Sequence, residues 1–450
     1  MGAVASLGLL ASCSSDDDLS TGGNGKDGLQ QIKIGMGVQA NVATRGTGTV
    51  GAVGAENNKW AGQAVNVYML NKGTLDLAKF GEDPIYNNTV LTTPDGNVSG
   101  IATELVNGVA QYKYYPTTKT AFDFWGYRLD DANDTTATDK EGSATAAAIE
   151  NNKFVPYISG DSLLIGFKID GTQDIMAGKA VPTDEEITKC GGADNIYSAF
   201  AARRDVQPNI KFEHLLSRLN FQVLDGKKTE TRDEDKAVKV TGITVKSKAT
   251  GKLVIAYKGK AAFENVSNQL IVDMDADSVK DAALLKELKV MQRDGTNLNA
   301  DLVALQPVTP KWNNGTAMAT QVGEALLAIP ADKYEITINL EQKVQVKGEK
   351  DHPTPDDFQP KEYTYTADLK NTVNPGNGFE SGYSYNVTIT VYGLSEIQIT
   401  TTLIPWKDGG NIEMNPEDET FGENTTNNAY EWEKIADPTG TPTVKVGVVV

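Results

Sequence analysis

The sequence predicts an all-β protein of the sandwich type with short helical insertions. Three observations predict it. Apolar residues recur at every second position along many segments, the period of a strand with one buried face. Turns rich in Gly, Asn, Asp and Pro separate those segments, as in a sandwich. Helical periodicity is confined to one or two short stretches. The 450 residues suit two or three domains, and 39% hydrophobic content is ample for real cores.

In chain order, Ile32, Ile34, Met36, Val38, Ala40 and Val42 fall on one face of a single extended segment. Strands follow at 64–70, 109–115, 122–129 and 163–169. Beyond residue 210 come 219–224, 238–245, 253–257, 324–329, 334–340 and 383–391. Ser278 to Asp281 resembles a capping box with Asp in place of Glu, and Leu284, Leu288 and Met291 then share a helical face. A weaker helical stretch lies near 194–204, and a boundary is expected where Arg203 to Pro208 precedes a new strand.

Composition excludes some functions. With 42 basic and 60 acidic residues the net charge is −18, which repels phosphate and disfavours nucleic acid. The two histidines, His214 and His352, lie far apart with no metal-ligand spacing, so no zinc site is expected. His214 reads as a satisfied histidine at a strand start, and no nucleophile-elbow GxSxG occurs. Gly46 to Gly51 matches GxGxxG literally, but neither a following helix nor a βαβ pattern supports it, so it reads as a loop. Asp273, Asp275 and Asp277 alternate as in a calcium loop, yet Ser278 and Leu284 stand where Gly and Glu are needed, so helix capping accounts for them. The acidic loop 130–139 is a weak second calcium candidate. The aromatics Tyr112, Tyr114, Tyr115, Phe122, Phe124, Trp125 and Tyr127 read as core and cross-strand pairs, with a carbohydrate platform as the alternative. Neither catalysis, cofactor nor metal is expected.

The N-terminus carries a targeting signal. Ala3 to Ser12 is an apolar run too short to span a bilayer and is the h-region of a secretory signal. It ends in Leu10-Ala11-Ser12-Cys13, a bacterial lipobox whose cysteine is lipidated; an ordinary signal with an incidental cysteine is the alternative. The acidic Ser14 to Asp18 resembles a surface-export signal, and 14–31 reads as a flexible linker. No basic segment precedes the run, which casts doubt on the start codon. Cys190 is then alone and reads as an inert thiol.

Two distant features fit together mechanistically. Ala43-Thr44-Arg45-Gly46 places one arginine in a flexible loop after the first strand, a preferred site for proteolysis. A cut between Arg45 and Gly46 removes the lipid, the linker and that strand, leaving an open groove. The chain ends in Val444-Lys445-Val446-Gly447-Val448-Val449-Val450, a β-branched alternating run suited to an edge or a partner. Insertion of one copy's tail into another's groove is donor-strand complementation, and head-to-tail repetition makes a filament.

With these segments the chain resembles the fimbrillins, type V pilus subunits of Bacteroidales-type bacteria. The resemblance rests on the lipobox, Ala43 to Gly46, Tyr114-Tyr115-Pro116, Asp174 to Ala177, and Phe212-x-His214-Leu215-Leu216-Ser217-Arg218-Leu219-Asn220-Phe221. It extends to Gly382 to Val387 and Pro405 to Gly409, so it spans most of the chain in order. It implies two transthyretin-like β-sandwich domains. It also implies export to the outer membrane as a palmitate-bearing lipoprotein on Cys13 and cleavage by an arginine-specific protease at Arg45 and Gly46. The discarded strand would carry Ile32, Ile34, Met36, Val38, Ala40 and Val42, and the donor Val444, Val446, Val448 and Val450. The implied partners are further copies and the tip and anchor subunits of a surface fimbrium. The resulting division is signal 1–13, linker and removable strand 14–45, first sandwich 46–207, second sandwich 208–407, and flexible segment with donor strand 408–450. The acidic stretch near 410–440 departs from the family pattern. Two alternatives stand beside the polymerising subunit: a tip adhesin of the same pilus, and a stationary glycan- or calcium-binding surface lipoprotein.

Overall fold

The structure is a computed structural model. It describes residues 29–38, 63–93, 100–117, 120–129, 155–226, 237–259, 269–272, 274, 278–295, 301–347, 354, 357–372, 376–393 and 396–404. Cys13, Ala40, Val42, Arg45, Gly46, the loops 46–51 and 130–139, Asp273, Asp275, Asp277, His352 and the tail from Pro405 to Val450 lie outside the described residues.

The described chain is all-β with sandwich-like sheets and short helices. A seven-stranded sheet runs, edge to edge, Thr89–Thr92, Ala64–Asn71, Phe122–Arg128, Met176–Ala180, Asn209–His214, Ile34–Val38 and Gly100–Ala102. Both its faces are covered, and the alternation of strand side chains shows how. On Phe122–Arg128, Phe122 and Phe124 join one core cluster while Trp125 and Tyr127 join the other. Val65, Val67 and Met69 divide from Tyr68 and Leu70 in the same way on the neighbouring strand. The first cluster includes Ile196, Tyr197, Ala199, Ala201 and Ala202, so the short helical segment after Thr183 roofs that face. The second includes Leu163, Ile165 and Phe167 with Leu253 and Ile255, from the sheet Tyr157–Ser159, Ser162–Lys168, Thr250–Tyr257 and Leu270–Val272.

The aromatic-rich 112–127 region is thus mostly core, with Tyr115 and Trp125 at 0% and 2% exposure, which leaves Tyr112 alone of that group strongly exposed. Packing uses close backbone approaches. A Cβ on Gly126 would meet the Phe212 ring at 2.6 Å, and one on Gly178 the Lys211 carbonyl oxygen at 2.3 Å.

Two further sheets lie beyond. Thr320–Gln321, Ser217–Asp225, Ser384–Gly393 and Glu396–Ile404 form one, with Leu326–Ala328 also paired to Ser217–Asp225. Leu285–Lys289, Lys239–Lys248, Lys333–Gln345 and Phe358–Lys370 form the other. Their inward residues, Leu219, Phe221, Val387 and Ile389 from one and Val245, Leu288, Ile336 and Ile338 from the other, share one core. The chain passes from the seven-stranded sheet into this half through Leu215 and Leu216, both fully buried. Asn209–His214, beyond residue 208, is a strand of the first sheet, and Thr250–Tyr257 pairs back with Ser162–Lys168.

One expectation needs correction. A helix forms at Ser278–Ala283, but it does not continue through Leu284, Leu288 and Met291. Leu285–Lys289 is a strand paired antiparallel with Thr244–Lys248, and Leu288 is the residue it buries. The spacing of four between Leu284 and Leu288 is also an even number, so one face of a strand satisfies it equally. A helix that periodicity did not reveal, Asp184–Lys189, has a full capping box: Glu186 N–H donates to the Thr183 hydroxyl, and Thr183 N–H to the Glu186 carboxylate. The stretch near 194–204 divides into a single turn at Ala193–Asn195 and a short helix at Ala199–Ala202.

Candidate functional site: a strand slot in the seven-stranded sheet

Ile34–Val38 is an interior strand although it is the first of the chain's described strands. It runs parallel to Asn209–His214, with Gly35 opposite Asn209 and Met36 opposite Ile210. On its other side it is antiparallel to Gly100–Ala102, with Ile34 opposite Ala102. Upstream, the Ile32 N–H donates to the Lys113 carbonyl and the Tyr115 N–H to the Gln30 carbonyl, both at 2.9 Å. These residues are therefore the lining of a slot.

The slot is apolar on one face. Ile32, Ile34 and Met36 are 4%, 1% and 0% exposed, and they share a cluster with Tyr115, Ile210, Phe212, Cys190 and the helical roof. Lys33, between them, is exposed. Burying three such side chains is worth roughly 1.5–3 kcal/mol each. Val38 belongs to the strand, while Ala40 and Val42 fall beyond the described residues, so the structure brings together four of the six positions read from the sequence.

The rim has its own construction. Glu104–Val106 and Val109–Gln111 form a hairpin whose turn residues Asn107 and Gly108 have φ of 52° and 76°. Positive φ at both central positions is the type I′ turn that suits strand twist, and Asn-Gly is its preferred pair. This hairpin joins the Gly100–Ala102 wall to the Lys113–Tyr115 wall, and the Lys113–Glu104 ion pair at 3.4 Å ties its base. Leu105, Val106, Val109 and Tyr112 on it are exposed.

Near the slot, burial pushes the Tyr115 hydroxyl well above its ordinary range, with Tyr86 and Tyr197 adding to the effect. Burial does the same to Tyr86, assisted by Glu104. At the far end of Asn209–His214, the His214 Nδ1 lies 2.7 Å from the Asp174 carboxylate, both side chains buried. His214 thus has a buried carboxylate partner through Nδ1, at the strand's end rather than its start. The Arg218 guanidinium follows on the next strand; burial lowers it to about 10, opposed by Glu324 and Asp174. The Ser217 hydroxyl donates to the Glu380 carbonyl.

Among the described residues no group of three or more His, Cys, Asp or Glu side chains is placed to hold a metal ion. No described helix is long and apolar enough to cross a membrane. Sequence reasoning missed Gln207 and the Asn209–His214 wall. The alternation Ile210, Phe212, His214 carries the wall's signal, but the boundary expected over Arg203 to Pro208 assigned that strand to the second sandwich.

What the fold and slot define is a β-sandwich chain whose first strand fills an interior position of a sheet. No protein-family model and no curated protein matches it. Among solved structures it is similar to cell adhesion and fimbrial proteins of Bacteroidales. One, from Bacteroides uniformis and described as a candidate cell adhesion protein, is 12% identical over 85% of this chain and 100% of its own, with a TM-score of 0.41. The tip fimbrial protein Mfa3 of Porphyromonas gingivalis, with a C-terminal truncation, is 6% identical over 84% of this chain and 100% of its own, with a TM-score of 0.29. A fimbrial assembly protein from Parabacteroides distasonis is 11% identical over 85% and 97%, also with a TM-score of 0.29.

Proposed function

We propose that this chain is a non-enzymatic subunit of a surface fimbrium that polymerises by exchanging the strand in the slot. It is exported as an outer-membrane lipoprotein on Cys13 and cut between Arg45 and Gly46 by an arginine-specific protease. The segment carrying Ile32, Ile34, Met36, Val38, Ala40 and Val42 then leaves. Val444, Val446, Val448 and Val450 of another copy take its place. The two-sandwich division belongs to this reading. Asn209–His214, at the start of the span 208–407, pairs in the seven-stranded sheet.

The observation that supports this reading is the interior position of Ile34–Val38 together with its buried apolar face. A strand at a sheet's edge could be lost with one row of hydrogen bonds. Loss of an interior strand exposes two rows and an apolar floor at once, and unpaired edges of that kind recruit a replacement strand. An alternating valine run has the pattern that such a floor accepts.

The test is the Arg45→Ala variant expressed on the native surface. The expected result is a lipid-anchored monomer, with N-terminal sequencing of the unsubstituted surface protein starting at Gly46. Filaments assembled from Arg45→Ala would overturn the mechanism. Deletion of residues 443–450 separates positions within the filament: a stalk subunit stops elongation, whereas a tip subunit still incorporates.

A further inference from the structure

The slot's parallel wall has a defect in its main chain. Pro208 accepts from the Gly35 N–H at 2.8 Å but has no N–H of its own to give back. Two residues further back, the same register places Val206 opposite Ile32. The Val206 N–H is already committed to the Ala201 carbonyl at 3.1 Å, closing the preceding helix behind Asp205 at φ 57°. The backbone of this strand therefore cannot extend its ladder past Pro208.

The Gln207 side chain fills the gap. Its Nε2 donates to the Gln31 carbonyl at 3.0 Å, and its Oε1 accepts from the Lys33 N–H at 3.2 Å. The carboxamide thus carries out both halves of a peptide group's pairing. The spacing of its partners is informative. In an antiparallel pair, two residues directly opposite exchange both bonds with each other. In a parallel pair, one residue bridges the two residues flanking its partner. Gln207 bridges residues 31 and 33, the parallel pattern.

The orientation of the carboxamide is also fixed. The Tyr115 hydroxyl donates to Oε1 at 3.3 Å, and Tyr115 is fully buried in the core. A flipped amide would set its N–H groups against the Lys33 N–H and its oxygen against the Gln31 carbonyl, whereas the Tyr115 hydroxyl, which can donate or accept, suits either orientation. The donor therefore faces upstream along the strand and the acceptor downstream.

We propose that Gln207 is a main-chain clamp that continues the ladder past Pro208 and holds in the slot a strand running parallel to Asn209–His214. Of the strand it bonds only backbone atoms, so it accepts any side-chain sequence at those positions but rejects proline at the position of Lys33. The apolar alternation of the strand is the same in both directions, because a reversed strand keeps the same face inward. Extended to a replacement strand from a second copy, a step that rests on the assembly reading above, the clamp pairs with a tail that enters parallel, with Val450 towards His214.

Two measurements on the full chain test this. The first is amide hydrogen exchange at Lys33 in Gln207→Leu and Gln207→Glu. Gln207→Leu should accelerate Lys33 exchange on the order of tenfold, with protection at Phe221 and Val387 unchanged as a control for folding. Gln207→Glu keeps the acceptor and loses the donor, so Lys33 should stay closer to the unsubstituted rate. It also carries the test should the leucine variant fail to fold. Unchanged Lys33 exchange in Gln207→Leu, or equal acceleration in both variants, would overturn the clamp. The second is disulfide trapping between copies, combining Asn209→Cys with either Thr443→Cys or Val450→Cys. Trapping through residue 443 supports parallel entry, and trapping through 450 overturns it. If neither traps while Lys33 responds to Gln207, the clamp stands for the chain's own strand and the assembly reading fails.

Discussion

Met36→Ala tests what holds the first strand in place. Met36 is fully buried opposite Ile210, in the cluster that contains Phe212 and Tyr115. Truncating a buried methionine to alanine costs about 2–5 kcal/mol, because the lost transfer free energy adds to the cavity left behind. The floor here is sheet on one side and helical roof on the other, so little can move in to fill the space. In the uncut chain, urea unfolding should register that loss directly. In a chain nicked at Arg45 the same loss acts on departure of the segment. If the contacts are fully broken at the barrier, release should quicken by about thirtyfold to about five thousandfold. The assay is the rate at which the N-terminal fragment separates from the remainder, followed by size-exclusion chromatography. Lys33→Ala is the control: it is exposed, and such changes stay within about 0.5 kcal/mol. A cost below about 1 kcal/mol for Met36→Ala, or an equal cost for Lys33→Ala, would refute apolar burial as the force that seats the strand.

Two further outcomes are expected. Gly178→Ala should destabilise by about 2–4 kcal/mol and lower expression of folded protein, since its Cβ would sit 2.3 Å from the Lys211 carbonyl oxygen in the middle of the sheet; a thermal melt unchanged within 1 °C would contradict the close approach. Alkali should unfold the chain from about pH 10 upwards. Burial raises Tyr68, Tyr115, Tyr127, Tyr197 and Tyr334 above their ordinary range, and Tyr385 to about 12. The sign follows from linkage: their stabilisation is whole below the unfolded value near 10 and is lost as pH rises through the folded values. Tyrosinate absorbance rising in step with loss of far-ultraviolet dichroism supports this; smooth titration near pH 10 without unfolding would refute it.

Much of the strand framework was legible in the sequence because a strand with one buried face writes its period directly into the residues. Ile32, Ile34 and Met36 alternate with an exposed Lys33, and Ser217–Asp225 alternates along its whole length. Strands buried on both faces were harder to read. Met176–Ala180 has four of its five residues buried, so it shows no alternation. Asn209–His214 alternates clearly, yet the boundary expected at Arg203 to Pro208 separated it from the sheet it joins. Leu285–Lys289 was misread because its leucine spacing fits two periods at once.

The sequence by itself determined the all-β class and the apolar alternation of Ile32, Ile34 and Met36 about an exposed Lys33. These are local properties of composition and period. Only the tertiary structure decided that Ile34–Val38 lies between two other strands instead of at an edge, and that Gln207 continues a ladder which Pro208 and Val206 cannot. The physical reason is that pairing partners are chosen by contacts between residues far apart in the chain. Residues 33 and 207 meet because the sheet brings them together, and no periodicity around either one records the other.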